Sequence, residues 1–123
     1  CRIGAHCVEH VRLPLLQEKK QKEQISRSKK VLEDIIQQAV DCMSLPHGAY
    51  SDKTIELIRQ NHYKVNYCSH DGLNRKNNYD MFLLRRSEII ASDTLSILKR
   101  KIRGDYDYLE YWREQFDNGV ARV

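Results

Sequence analysis

The sequence has no Cys-x-x-Cys pair, no long apolar run and no Met at its first position. Each absence narrows the reading. A membrane-spanning helix needs roughly 18 consecutive apolar residues, and no stretch of this chain approaches that, so no membrane span is expected. Cys1, Cys7, Cys42 and Cys68 are too scattered for a dense disulfide framework or for closely paired zinc ligands. They read as reduced thiols on buried strands, where Cys behaves as a small apolar residue, with disulfides in an exported protein as the alternative. Localisation follows the same fork: cell envelope or extracellular if the parent is exported, otherwise cytoplasmic. No signal peptide precedes Cys1, and Cys1-Arg2-Ile3-Gly4 reads as the end of a buried strand, so a fragment of a longer protein is expected. Charge is not one-sided either. The net charge of +4, with both signs interspersed, gives no argument for a nucleic-acid partner.

What remains is a chain of 123 residues, 41% apolar and 31% charged, enough for one domain with its own core. The stretch that organises it is Gly4-Ala5-His6-Cys7-Val8-Glu9-His10. An i, i+4 pair places both imidazoles on one side of a helical turn, and imidazole is the commonest zinc ligand. Two surface histidines on a turn would look the same.

Downstream, Ile25, Leu32, Ile35 and Ile36 fall at helical spacing and predict a helix from residue 17 to about 38. Its lysines, interspersed with Glu18 and Glu23, read as a solvated outer face. Ala39-Val40-Asp41-Cys42-Met43 reads as a buried strand, and Leu45-Pro46-His47-Gly48-Ala49-Tyr50 as a tight loop, since Pro fixes φ and Gly permits φ > 0. Ser51 caps a second helix, expected to end near Asn61-His62 with Asn left-handed. Lys64-Val65-Asn66-Tyr67-Cys68 is a second strand, followed by a polar loop over 69–80. A strand is expected from Phe82 through Ile89-Ile90. Ser92-Asp93 would cap a third helix that stops at Gly104, and an aromatic helix would run from about Tyr106 to Phe116. Strands alternating with helices predict α/β architecture with parallel strands, whose active residues gather at the carboxyl ends. The His6/His10 and Pro46-His47-Gly48 turns both follow expected strands, so both are expected at that end.

In order, these segments resemble the polysaccharide deacetylases of the NodB-homology type, carbohydrate esterase family 4. The family's Gly-x-His-[Ser/Thr]-x-x-His turn stands here as Gly4-Ala5-His6-Cys7-Val8-Glu9-His10, with Cys7 in the hydroxyl position. Its Pro-Tyr-Gly turn stands as Pro46-His47-Gly48. Asp80-Met81-Phe82-Leu83-Leu84-Arg85-Arg86 is similar to a later segment that re-enters a strand through Leu-x-Arg. The resemblance implies one partial domain, residues 1–123: part of a distorted (β/α) barrel missing its N-terminal strands, and the C-terminal portion of the deacetylase domain. No Asp-Asp motif precedes the His turn, and no histidine follows His70 to supply the family's late apolar-x-His motif.

The resemblance further implies a metal-dependent hydrolase removing N-acetyl, or O-acetyl, groups from a polysaccharide or amino sugar. His6 and His10 would be two of three protein ligands to a divalent metal, zinc being the expected ion. The backbone N–H of His47 would hold the oxyanion, and Pro46, His47, Tyr50 and Arg86 would contact substrate. The missing Asp-Asp segment would supply the third ligand and the base, so the isolated chain is expected to be inactive and aggregation-prone. Two other readings compete. His6, Cys7, His10, Cys68 and His70 could form a structural zinc site, although Cys68-x-His70 fits no common ligand pattern. The lysine-rich helix could bind nucleic acid, against which stand its acidic residues and the lack of stacking aromatics beside it.

Overall fold

One buried polar chain explains how the first two helices meet. Thr54 Oγ1 donates to Gln21 Oε1 at 2.9 Å, Gln21 Nε2 donates to the Leu16 carbonyl at 2.9 Å, and Gln21 and Thr54 are both buried. Buried polar groups need such partners, so this contact fixes how the helices register on each other. The computed structural model describes residues 2–77 and 79–108. Its elements, in order, are a 3-10 turn Leu13–Leu15, helix α1 Glu18–Ile36, strand β1 Cys42–Ser44, a 3-10 turn Pro46–Gly48, helix α2 Asp52–Gln60, strand β2 Val65–Tyr67 and helix α3 Leu95–Arg103.

Helix α1 turns Gln21, Ile25 and Ser28 inward, with Leu32 and Ile36 packed at the edge of the core. Ile35, expected on that stripe, is 73% exposed: it lies one residue round from Ile36 and points past the core. The lysines pair at one-turn spacing, Lys20 with Glu23, Lys29 with Glu33 and Lys30 with Asp34, as a solvated face would. The helix ends with Gln37 left-handed at φ 51°. The Val40 backbone N–H then donates to Glu33, a bond that holds this carboxyl below its usual range. Helix α2 begins with a capping box between Ser51 and Thr54. Beyond its C-terminus the left-handed residue is His62, at φ 59°, rather than Asn61, which stays at φ −88°.

Strands β1 and β2 run parallel, with Cys42 opposite Val65 and Ser44 opposite Tyr67. Single parallel bridges extend the sheet on both sides, Ala5 to Met43 and Tyr67 to Leu84. Four chain segments therefore run in one direction. Met43 and Asn66 point into the core with Ile25, Ile55 and Ile58, whereas Cys42, Ser44, Val65 and Tyr67 lie half-buried. Those four line a cavity of about 1050 Å³ together with His6 and Arg86. The α/β parallel arrangement is as expected; the described residues form two paired strands flanked by two single bridges, and a closed barrel is not seen among them.

Several boundaries differ from the sequence reading. Arg2, Ile3 and Gly4 are exposed, and pairing starts only at Ala5. The strand expected through Ile90 is reduced to the Leu84 bridge, and Ile89 and Ile90 are 65% and 48% exposed. Helix α3 is capped by Thr94, which accepts from the Ile97 N–H, because Asp93 is held elsewhere, by the Ile90 N–H and Lys101. Of the expected aromatic helix, Tyr111, Trp112 and Phe116 lie outside the described residues.

The core makes one direct prediction. Ile58, on α2, is fully buried in the core. Ile58→Ala should cost about 2–5 kcal/mol, read as a lower urea midpoint.

Candidate active site

In a parallel sheet every strand ends at the same edge, so the residues just past those ends meet. Here they are His6 after Ala5, Pro46 and His47 after Ser44, His70 after Tyr67, and Arg86 after Leu84. The His6 and His10 rings lie 5.2 Å apart between centroids, and His10 and His47 4.2 Å apart.

The His6/His10 segment is not the helical turn its spacing suggested. It is a bend, with Cys7 in the left-handed region at φ 63°. Gln24 of α1 holds it: its Oε1 accepts from the Val8 and Glu9 N–H groups at 3.2 and 2.9 Å, and its Nε2 donates to Glu9. The rings converge because of this tether, 15 residues or more away in sequence.

His6 Nδ1 lies 2.8 Å from both the carbonyl and the hydroxyl of Ser44. A carbonyl only accepts, so Nδ1 carries a proton and Nε2 is the ring nitrogen left for a ligand. Metal-ligating histidines are oriented in this way by a partner on the far ring nitrogen. His47 plays a different part. Its ring packs on His10 with Nε2 directed at the His10 carbonyl, at a long 3.4 Å. Its backbone is left-handed at φ 57°, beside Gly48 at φ 64°. The N–H groups of Gly48 and Ala49 are taken by the carbonyls of Leu45 and Pro46, while His47 N–H makes no backbone bond among the described residues.

Other expected residues sit further out. Arg86 reaches across the sheet edge, its Nε donating to the Cys68 carbonyl at 3.0 Å and its guanidinium 5.9 Å from the Tyr67 ring. It shares the sheet-face cavity with His6. Pro46 is buried and shapes the turn. Tyr50 lies in a second cavity, its ring 5.7 Å from His70. Sequence reading passed over Ser44 and Gln24, since a serine at a strand end and a glutamine in a helix carry no local signal.

The donor set fits a divalent cation in part. His6 and His10 offer adjacent imidazoles, but no group of three His, Cys, Asp or Glu is placed to hold a metal ion among the described residues. The structural zinc alternative gains nothing from the thiols. Burial pushes Cys7 up to about 12, and Cys68, raised by burial too, directs its Sγ at the carbonyls of Leu83 and Leu84.

Comparison with solved structures gives the wider frame. The Streptococcus pyogenes deacetylase PplD, solved in complex with acetate, aligns with a TM-score of 0.74 at 22% identity over 80% of this chain and 43% of its own. A polysaccharide deacetylase from Bacillus cereus aligns at 0.71 and 21% identity, over 80% of this chain and 31% of that one. A de-N-acetylase from Aggregatibacter actinomycetemcomitans gives 0.59 and 20%, over 68% and 31%. At these identities the likeness is one of fold. The chain spans less than half the length of each of these structures. No curated protein sequence matches it. The family profile described as Polysaccharide deacetylase matches residues 1–66, the His6/His10 and Pro46-His47-Gly48 turns included. That is the N-terminal portion rather than the C-terminal one the resemblance implied, and the segment 80–86 falls outside it. With more than half of its residues covered by that profile, the chain belongs to the polysaccharide deacetylase family.

Proposed function

We propose that the protein containing this chain is a metal-dependent hydrolase that removes acetyl groups, N-acetyl in the first place, from a polysaccharide or amino sugar. The observation that carries the reading is the orientation of His6 by Ser44, beside His10, in a chain of this family. His6 and His10 would hold the cation, zinc being the expected ion, with a carboxylate that the described residues do not supply. Once bound, such a cation polarises a carbonyl and lowers the pKa of water towards about 7.

The chain's own residues do the rest. Ser44 accepts the Nδ1 hydrogen bond of His6, so that Nε2 is the ring nitrogen left to face the site. The His47 N–H, in its fixed left-handed turn, donates to the carbonyl oxygen as negative charge develops there. Tyr50 and Arg86 flank the sugar. Water oxygen bonds to the acetyl carbon, the carbon–nitrogen bond breaks, and the nitrogen takes a proton to leave as the free amine with acetate as the other product. The base and the acid for these transfers would come from outside the described residues.

The direct test is acetate release from N-acetylated oligosaccharide by the full-length protein, with and without a chelator. Chelator-sensitive release is expected; undiminished release after complete metal removal, or none at all from the metal-loaded protein, would sink the proposal. Ser44→Ala removes one of the two oxygens that hold His6 Nδ1 and should weaken metal affinity by about tenfold or less, because the carbonyl stays. It removes only the hydroxyl, so an unchanged affinity would assign the orientation to the Ser44 carbonyl alone.

A further inference from the structure

The two histidines of the pair are held by different means. His6 has a hydrogen bond on its own ring, from Nδ1 to Ser44. The His10 ring has none among the described residues; its neighbours there are the rings of His6 and His47, and it is the His10 carbonyl that meets His47 Nε2. An exposed imidazole with no bond of its own stands where its backbone puts it, within the reach of its rotamers.

That backbone is set from helix α1. His10 is the middle residue of a tight turn, closed by the Val11 N–H donating to the Glu9 carbonyl at 2.9 Å. The residues just before the turn hang on one amide. Gln24 Oε1 accepts from the Val8 and Glu9 N–H groups at 3.2 and 2.9 Å, and Gln24 Nε2 donates to the Glu9 carboxylate at 2.9 Å. Two successive peptide planes are thereby oriented by a single side chain. Among the described residues no other side chain hydrogen-bonds residues 7–9. Cys7, left-handed at φ 63°, is in a conformation that a residue with a side chain keeps only when its surroundings impose it.

We propose that Gln24 is the positioning residue of His10. It brings no atom to the cation; it sets where the second imidazole stands relative to the first, as Ser44 sets the orientation of His6. The inference rests on the metal-dependent reading of the histidine pair. The chemistry asks for an amide in particular, because one end must accept from two backbone N–H groups while the other donates to a carboxylate. The same three bonds survive if the two side chains exchange roles. With Gln24→Glu and Glu9→Gln together, the carboxylate at position 24 accepts from both N–H groups and from the amide at position 9, at unchanged net charge.

Zinc affinity of the metal-stripped full-length protein, measured by competition with a chromophoric chelator, tests this without calling on activity. Gln24→Ala should bind zinc about tenfold more weakly or worse, and the exchanged pair should recover most of the loss. Melting temperatures of the metal-free variants should stay close to the wild type, since Val8 and Glu9 are exposed and water takes up the freed N–H groups. If the effect passes through His10, adding Gln24→Ala to His10→Ala should cost no further affinity. Wild-type affinity in Gln24→Ala overturns the proposal. So does an exchanged pair as weak as Gln24→Ala, or a full additional loss in the His10→Ala background. Gln24-dependent zinc binding in a protein that releases no acetate would keep the positioning role and remove the hydrolase. Chelator-sensitive acetate release with zinc affinity unmoved by Gln24→Ala would do the reverse.

Discussion

Replacing His6 and His10 together by Ala should abolish bound metal and lower acetate release on the order of a thousandfold or more, several kcal/mol of transition-state stabilisation. Both side chains are exposed, so the melting temperature of the metal-free protein should hardly move. That pairing of outcomes separates a functional pair from a structural one: a fold held by zinc through these residues would lose its stability along with its metal. His47→Asn supplies the contrast. Asn tolerates the left-handed backbone at φ 57° and keeps the N–H, so activity should fall only about tenfold if the backbone is the group that acts. A loss as deep as that of the double His variant would move the role of His47 from its backbone to its ring.

Gly48→Ala should destabilise the protein by about 2–4 kcal/mol, through a left-handed backbone at φ 64° and a forced contact with Ser69. The clash is with Cβ and Oγ of Ser69, at 2.5 and 2.6 Å, so Ser69→Gly in the same chain should recover part of the loss. Recovery of nothing would mean that strain at φ 64° accounts for the whole cost. The same substitution bears on the site, because His47 N–H is aimed by this turn. Activity per folded molecule should fall with the single variant and return with the double one.

The two turns show how much of the site could be read locally. Pro46 and Gly48 mark a turn by their own backbone chemistry, and the turn formed where they stand. The histidine pair was legible as a pair, but its geometry was not. Spacing of four suggested one helical face, whereas the rings meet on a bend that Gln24 ties down from helix α1. The same limit appears at helix α3. Asp93 and Thr94 are both good caps, and the choice fell to Thr94 because Lys101 holds Asp93 at 2.6 Å.

The sequence alone determined the periodic helices α1 and α2, the parallel α/β character and the family, since apolar spacing, capping residues and ordered motifs act over a few residues each. Tertiary structure decided the rest. It placed the Ser44 carbonyl 2.8 Å from His6 across 38 residues, and set the 69–80 loop against Tyr50. Contacts of that kind depend on how parallel strands stack their carboxyl ends. No local pattern encodes that, because each partner's position is fixed by packing elsewhere in the chain.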